Sequence, residues 1–282
     1  MTISILGAGW LGFPLAQKLL EGNHVVRAST TKIQKLAALR AAGIQPLLLN
    51  LAPDPTGIGW GFLLECDVLV VNIPPRMERQ GQEFHPAQIE ALVKMMPQTA
   101  WPKKIIYVSS TSVYPEQNRE MTEDDVRTPQ ESAAGALVRA ENRIASLPIP
   151  TVILRCGGLM GYDRMPGKYV AGKQNLTTGD VPVNYIHRHD AVGIIAGIIA
   201  SEENLWGQTY NAVAPQHPVR RAVYEKNCAD FGLEPPTFET PSTPPHWPPH
   251  SPPHYKIVNS DKIIATLPYQ FVYPDPLLFL YE

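Results

Sequence analysis

A strand, a glycine-rich turn and a helix follow one another within the first twenty residues of this chain. The apolar run MTISIL leads directly into GAGWLG at 7–12, and the apolar residues of 13–20 recur at helical spacing. In a G-x-G-x-x-G turn the first glycine allows the tight turn, the second lets a diphosphate approach the backbone, and the third lets the helix pack against the strand. Amides at the start of such a helix hold phosphates. The motif therefore predicts a dinucleotide site that contains Gly7, Gly9, Trp10, Leu11 and Gly12, although a glycine turn that binds nothing has the same letters.

Strands and helices alternate through the first half of the chain. Strands are predicted at 24–28, 44–49, 67–72, 104–109 and 150–154, and helices at 32–42, 86–96 and 132–145. Beyond residue 155 we predict a loop at 161–182, helices at 190–200, 219–231 and 260–267, and strands at 208–213 and 255–258. The alternation predicts an α/β fold, a Rossmann-like doubly wound parallel sheet with a small C-terminal substrate lobe. We place the core at 1–160, with 184–213 returning to it, and the lobe at 161–183 and 214–282.

Composition and charge argue against several classes of protein. The 282-residue chain is 44% hydrophobic and has a formal net charge of −2, so neither nucleic-acid binding nor attachment to a membrane surface is supported. No run of about 18 apolar residues predicts a membrane span, and the glycine turn interrupts the N-terminal apolar run before it could serve as a signal peptide. The three cysteines form no C-x-x-C pair, which is typical of a reducing cytosol. We therefore expect a cytoplasmic globular protein.

A low-complexity segment near the end of the chain contains three Pro-Pro-His triplets, at 244–246, 248–250 and 252–254. Closely spaced histidines can bind a metal ion, but the prolines prevent the helix that would bring them to one face. We therefore favour a surface segment in the polyproline II conformation and predict no metal site.

The residues after the second strand bear on the form of the cofactor. In a dinucleotide fold an acidic residue about 20 positions after the glycines binds the 2′-hydroxyl of the adenosine ribose. Ser29, Thr30, Thr31 and Lys32 stand there instead. Hydroxyls beside a lysine suit a 2′-phosphate, so we predict NADP in preference to NAD. The same hydroxyls could cap the next helix, and Arg27 could point toward the phosphate or away from it.

Polar residues also follow the later strands, at the sheet edge where ligands of open α/β folds bind. Asn72, Ile73 and Pro74 come after the fourth strand, and four hydroxyl residues at 109–112 come after the fifth. We expect Asn72, Ile73, Pro74 and Ser109 to contact the cofactor, although turn chemistry alone could explain any one of them.

Several stretches together resemble one superfamily. GAGWLG at 7–12, VSSTSVY at 108–114, Leu154-Arg155 with Gly161, and IHRHD at 186–190 resemble extended short-chain dehydrogenases/reductases of the NAD-dependent epimerase/dehydratase type. GWLG, SSTSVY, PGKYVAGK and YPDP are similar to the atypical, YeeZ-like group. The resemblance implies a Rossmann core beneath a smaller lobe. It also implies that Ser110 takes the place of the catalytic Ser/Thr, which hydrogen-bonds the substrate oxygen, and that Glu141 matches a common later Glu.

The chain departs from that superfamily at its acid–base pair. The resemblance implies a Tyr, followed four residues later by a Lys that lowers the tyrosine pKa, at the start of the next helix. Ala133 and Leu137 stand at those positions, and no Tyr-x-x-x-Lys occurs in 115–145. Neither side chain can transfer a proton.

Three hypotheses about function follow from this departure. The chain could be an oxidoreductase or epimerase/dehydratase that acts on an unknown small molecule with an acid–base group from elsewhere. It could instead be a non-catalytic NADP(H)-binding redox sensor or partner-binding protein. In the third hypothesis the nucleotide is a structural cofactor for different chemistry.

The first hypothesis adds further candidate residues. Tyr114 is the second catalytic candidate, and Thr111, Lys168 and His187 are candidates for binding the substrate. For each a simpler explanation exists, in which Tyr114 packs under the next turn, Lys168 lies on the surface, and His187 is packed beside a helix cap at Asp190. The helix at 132–145 is a candidate homodimer surface, as is common in this superfamily.

Overall fold

The computed structural model describes residues 1–201, 203–239 and 254–282. In chain order the strands are β1 (Thr2–Leu6), β2 (Val25–Thr30), β3 (Gln45–Leu48), β4 (Asn50–Leu51), β5 (Pro55–Thr56), β6 (Val68–Val71), β7 (Lys104–Ser110), β8 (Arg119–Met121), β9 (Thr151–Cys156), β10 (Gly158–Met160), β11 (Tyr185–His187), β12 (Gln208–Ala212) and β13 (Lys256–Val258). The helices are α1 (Gly12–Glu21), α2 (Lys35–Ala41), α3 (Trp60–Leu64), α4 (Met77–Gln80), α5 (Phe84–Met95), α6 (Gly135–Ala145), α7 (Pro166–Val170), α8 (Arg188–Ala200), α9 (Arg220–Phe231) and α10 (Asp261–Thr266).

Seven strands form one central sheet in the order β12-β9-β7-β6-β1-β2-β3, and every neighbouring pair is parallel. The strand order reverses beside β1, as in a doubly wound fold. All four residues of β6 and all six of β9 are buried, because helices cover both faces of the sheet. The predicted Rossmann-like sheet is therefore confirmed, including the late return of the chain to the sheet edge as β12.

Two apolar clusters lie on opposite faces of this sheet. One contains apolar residues of α1, α2 and α8, and the other contains apolar residues of α3, α5 and α6. Beside the sheet are two small parallel pairs, β10 with β11 and β8 with β13, and helices α7 and α9 pack together. Among the described residues, no helix combines the length and the apolar character that crossing a bilayer requires.

The structure differs from the predicted elements in a few places. The predicted loop at 161–182 contains a short helix, α7, and residues 52–60, for which no element was predicted, contain β5 and the start of α3. Helix α6 begins at Gly135 instead of residue 132, because Ser132 Oγ donates to the carbonyl of Val113 and accepts from the amide of Ala134. These bonds hold 132–134 against the turn that follows β7. Residues 240–253, which include most of the Pro-Pro-His segment, lie outside the described part of the chain.

Helix α8 is capped differently from the prediction. His187 is its N-cap residue, and the ring Nδ1 accepts a hydrogen bond from the amide of His189 at 3.2 Å. Asp190 is fully buried and binds the C-terminal segment instead, accepting from the Tyr269 hydroxyl and from the amides of Val272 and Tyr273. This carboxylate therefore ties the tail of the chain to α8.

Candidate functional site

A pocket lies at the carboxyl ends of β1, β2 and β6, beside the glycine loop. We call it the glycine-loop pocket; it is lined by Leu6, Gly7, Ala8, Gly9, Ser29, Thr30, Thr31, Lys32, Lys35, Leu49, Asn50, Leu51, Asn72, Ile73, Pro74, Arg76 and Gln88. Most of the residues predicted to contact a cofactor are brought together here. Trp10, Leu11 and Gly12 adjoin the pocket through the glycine loop, and Ser109 lies elsewhere.

Two of the three motif glycines are required by the fold itself. Gly7 has φ +111°, and a Cβ there would overlap the carbonyl of Asn72. A Cβ on Gly12 would overlap the carbonyl of Gly7. Gly9 is different, because it is exposed and nothing lies within 4 Å of the position of its missing Cβ. The absence of a side chain at Gly9 therefore keeps space open for a ligand and serves no internal contact.

The amides of the glycine loop fall into two groups. Those of Gly7 and Ala8 are bonded to Ser29, through its Oγ at 2.9 Å and its carbonyl at 2.7 Å, so this buried serine anchors the loop to the end of β2. Within the described residues the amides of Trp10 and Leu11 donate to no acceptor. These two donors are therefore available to an anion at the start of α1.

The pocket is positively charged at the end of β2. Lys32, Lys35 and Arg76 line it, and no acidic residue is among the lining residues. Thr30 Oγ1 accepts from the amide of Lys32 at 3.1 Å, which fixes the turn that carries this lysine. Helix α2 begins only at Lys35 and has no side-chain cap, so the hydroxyls of 29–31 do not cap it.

Arg27 points away from the pocket. Its Nη1 donates to the carbonyls of Phe62 and Glu65, at 2.5 and 2.7 Å, and its guanidinium carbon lies 3.7 Å from the centre of the Phe62 ring. Successive residues of a strand face opposite sides of the sheet, and Arg27 belongs to the side covered by α3. The orientation that the sequence left open is therefore decided against a role in cofactor binding.

The hydroxyl residues at the end of β7 and in the turn that follows it have different hydrogen-bond partners. Ser109 Oγ donates to Glu141 Oε1 at 2.5 Å, so its side chain faces a buried carboxylate outside the glycine-loop pocket, which argues against the predicted contact with the cofactor. Ser110 Oγ accepts from the amide and hydroxyl of Ser112, at 3.2 and 3.0 Å, and caps the short turn Thr111–Val113. Thr111 is buried in this turn, which argues against the predicted contact with substrate.

Tyr114 belongs to a buried polar network. Its hydroxyl donates to Asn211 Oδ1 at 2.7 Å and accepts from Arg155 at 2.9 Å, and Arg155 is paired with Glu141 at 2.7 Å. Burial raises the pKa of Tyr114 to about 12, even though the neighbouring guanidinium lowers it. Because the phenol is fully buried and already bonded on both sides, the structure argues against the proton-transfer role suggested for it.

Ala133 and Leu137, which occupy the positions of the expected tyrosine and lysine, have structural contacts. Ala133 is exposed, and its amide donates to the carbonyl of Val113 at 3.0 Å. Leu137 is buried in an apolar cluster with Val113, Tyr114 and Val138. An apolar contact therefore takes the place of the lysine.

His187 and Lys168, two candidates for binding a substrate, have other surroundings. The His187 ring is buried, donates from Nε2 to the carbonyl of Leu280 at 3.1 Å, and lies 3.9 Å from the ring of Tyr273. Burial lowers the pKa of His187 and keeps the ring neutral. Both ring nitrogens are used internally, which argues against the predicted contact of His187 with substrate. Lys168 is exposed on α7 and does not line the glycine-loop pocket.

Sequence reasoning missed several residues of the pocket. Arg76 follows the Pro-Pro pair that ends β6, and Lys35 lies one turn beyond Lys32, so position along the chain could have suggested both. Gln88 carries no such signal. It lies within α5, donates to the carbonyl of Leu51 at 2.5 Å, and accepts from His85 at 3.1 Å. Only the packing of α5 against the β4 segment brings it to the pocket.

The chain is similar to known proteins both in sequence and in fold. No protein-family model matches the sequence. Protein YeeZ of Escherichia coli K12 is 32% identical over 283 residues, covering 99% of both chains. Among solved structures, UDP-glucuronic acid 4-epimerase from Bacillus cereus in complex with NAD is similar with a TM-score of 0.76 at 17% identity, over 99% of this chain and 95% of that one. The UDP-Glc/GlcNAc 4-epimerase of Campylobacter jejuni also has a TM-score of 0.76, at 18% identity over 98% and 96% of the two chains.

Proposed function

The chain belongs to the family of the protein YeeZ and has the fold of the NAD-dependent epimerase/dehydratase superfamily, and from this premise we propose that it binds a nicotinamide dinucleotide in the glycine-loop pocket, with NADP(H) preferred over NAD(H). The observation that carries the proposal is the pocket itself. The open space at Gly9 lies beside the amides of Trp10 and Leu11, which donate to no acceptor among the described residues, at the point where the strand order reverses.

The preference for NADP(H) rests on charge. An adenosine ribose with a free 2′-hydroxyl is recognised by a carboxylate at the end of the second strand, and the pocket lining contains none. Lys32 and Lys35 stand there with the Thr31 hydroxyl, a set that can donate to a 2′-phosphate. The structure of the Bacillus cereus epimerase contains NAD, so NAD is the alternative cofactor.

Lys32→Glu tests this preference. We expect the dissociation constant for NADPH to rise by about tenfold or more, because the variant sets a carboxylate against the 2′-phosphate, while the value for NADH changes by less than about twofold. Fluorescence titration with both reduced cofactors measures the effect. Lys94→Glu, an exposed position on α5 outside the pocket, is the matched control. Equal weakening of both cofactors, or of neither, would contradict the assignment.

We propose further that the bound dinucleotide serves oxidoreductase or epimerase/dehydratase chemistry on a small molecule. When bound, a nicotinamide supplies or accepts a hydride. Ser110 is the residue of this chain suited to hold the substrate oxygen, since its oxygen is fixed by the amide of Ser112 and its hydroxyl has the Ser112 hydroxyl as its one other side-chain neighbour among the hydrogen bonds of the described residues. No proton-transferring side chain stands at position 133 or 137, so the proton comes from another group or from water.

Binding without turnover, as in a redox sensor, is the second candidate function. A specific observation favours it: Leu137 is integrated into an apolar cluster, and Tyr114 is committed to Arg155 and Asn211. The glycine-loop pocket is thus present, while the position of the expected lysine is filled by Leu137, which packs in an apolar cluster. The homodimer predicted through 132–145 and the cytoplasmic location stay predictions.

Ser110→Ala separates the two candidates. For an enzyme we expect NADPH-dependent turnover of carbonyl compounds or nucleotide sugars to fall by about 100-fold, because the substrate oxygen loses its hydrogen-bond donor, while the affinity for NADPH stays within about twofold. Ser146→Ala, on the surface at the end of α6, is the control. Tight binding of NADPH by the wild type with no turnover across the panel would establish the second candidate.

A further inference from the structure

Two arginines from the second half of the chain are held against the glycine loop. The guanidinium carbon of Arg164 lies 4.2 Å from the centre of the Trp10 ring, and that of Arg188 lies 4.7 Å from it. Arg188 also lies 3.8 Å from the centre of the Tyr162 ring, so two aromatic rings hold its planar group. We call Trp10, Tyr162, Arg164 and Arg188 the tryptophan cluster.

The tryptophan cluster has more positive than negative charge. Asp163 is its acidic neighbour, and the Asp163 carboxylate accepts from the Trp10 indole at 2.5 Å. That hydrogen bond lowers the pKa of Asp163, so the carboxylate is ionised. The guanidinium groups of Arg164 and Arg188 form no ion pair and no hydrogen bond with the described residues. Two guanidinium groups are therefore held on one ring with their hydrogen-bond donors unused.

The ionised Asp163 carboxylate offsets only one of the two positive charges. Like charges held close together repel each other, and planar guanidinium groups match the oxygens of phosphate in two-point hydrogen bonds. The ring that holds both arginines belongs to Trp10. The amide of Trp10, like that of Leu11, donates to no acceptor among the described residues. Both arginines therefore lie against the side chain of a residue whose amide belongs to the glycine loop.

We propose that Arg164 and Arg188 form a phosphoryl-binding site next to the glycine loop. The site rests on the proposed dinucleotide function only for one of its two possible ligands. The phosphoryl group is either the diphosphate of the bound dinucleotide or a phosphate carried by the small-molecule substrate. In the first case the segment 162–188 completes the cofactor site, and in the second it selects phosphorylated substrates.

Calorimetric titration of Arg188→Gln and Arg164→Gln tests the site, with Arg127→Gln, a surface arginine paired with Asp124, as the control. The first arm uses ADP-ribose, which carries the diphosphate without nicotinamide, and adenosine, which carries no phosphate. If the cofactor diphosphate is the ligand, each cluster variant raises the dissociation constant for ADP-ribose by about tenfold and leaves that for adenosine within about twofold.

The second arm uses inorganic pyrophosphate on protein saturated with NADP⁺. If a substrate phosphate is the ligand, the wild type and Arg127→Gln bind pyrophosphate, and each cluster variant weakens that binding by about tenfold. Equal affinities of wild type and cluster variants in both arms would overturn the proposal. A wild type that binds neither ADP-ribose nor NADPH would refute the proposed function, while the pyrophosphate arm, run then without cofactor, would still decide the phosphoryl site.

Folding of the variants is checked by thermal melting without ligand. The two arginines lie on different elements, Arg164 before α7 and Arg188 at the start of α8, so the failure of one variant to fold leaves the other as a test. Arg188→Lys is a further check, because it keeps the charge and loses the planar group. We expect it to recover part of the lost affinity for the anion.

Discussion

Gly9→Val is expected to weaken binding of NADPH and NADH by at least about 100-fold while changing the free energy of unfolding by less than about 0.5 kcal/mol. The physical reason is that Gly9 is exposed and no atom lies within 4 Å of the position of its missing Cβ. The valine side chain therefore fits the fold, yet it fills the space through which a diphosphate reaches the amides of Trp10 and Leu11. Cofactor titration and urea denaturation measure the two effects.

Gly12→Ala is the contrasting control for that experiment. A Cβ at Gly12 would overlap the carbonyl of Gly7, so this smaller substitution should reduce the stability of the protein by about 1–3 kcal/mol. The larger side chain is thus tolerated by the fold at Gly9, and the smaller one is not tolerated at Gly12. Binding by Gly9→Val within about threefold of the wild type would show that the dinucleotide does not lie against this loop.

Glu141→Ala is expected to reduce the free energy of unfolding by about 3–5 kcal/mol. Glu141 and Arg155 are paired at 2.7 Å, and the side chains are only 3% and 4% exposed. Removing the carboxylate leaves the Arg155 charge buried without its ionic partner and also takes the acceptor away from Ser109. Since Ser109 precedes Ser110 at the end of β7, we expect the candidate substrate site to loosen as well.

A surface carboxylate provides the control for Glu141→Ala. Glu90 pairs with Arg143 at 2.6 Å with both side chains 37% exposed, so Glu90→Ala should cost no more than about 1 kcal/mol. The double variant Glu141→Ala/Arg155→Met should recover much of the lost stability, because no buried charge is left without a partner. Urea denaturation at neutral pH measures all three variants. A loss below about 1 kcal/mol for Glu141→Ala would show that water replaces the carboxylate at Arg155.

The sequence by itself determined the parts of this protein that depend on neighbouring residues. The strand, the glycine turn and the first helix lie within twenty-one residues, and two of the three motif glycines, Gly7 and Gly12, are required by backbone conformation or close approach. The alternation of strands and helices along the chain predicted a parallel sheet that includes β6. The lack of an acidic residue at the end of β2 was visible by counting about 20 positions on from the glycines. The resemblance to the superfamily also showed from sequence that Ala133 and Leu137 stand in place of the expected tyrosine and lysine.

Only the tertiary structure decided what the side chains after the strands contact. The side chains of two adjacent residues of β7 have different partners. Ser109 donates a hydrogen bond to Glu141 on α6, and Ser110 caps the turn that follows the strand. Tyr114 meets Asn211, 97 positions away, and Trp10 meets Asp163, 153 positions away. The physical reason is that strand and helix periodicity fixes which face a residue occupies, whereas its partner depends on which distant element packs on that face. The glycine loop was therefore predictable from its own sequence, and the two arginines that lie against Trp10 were not.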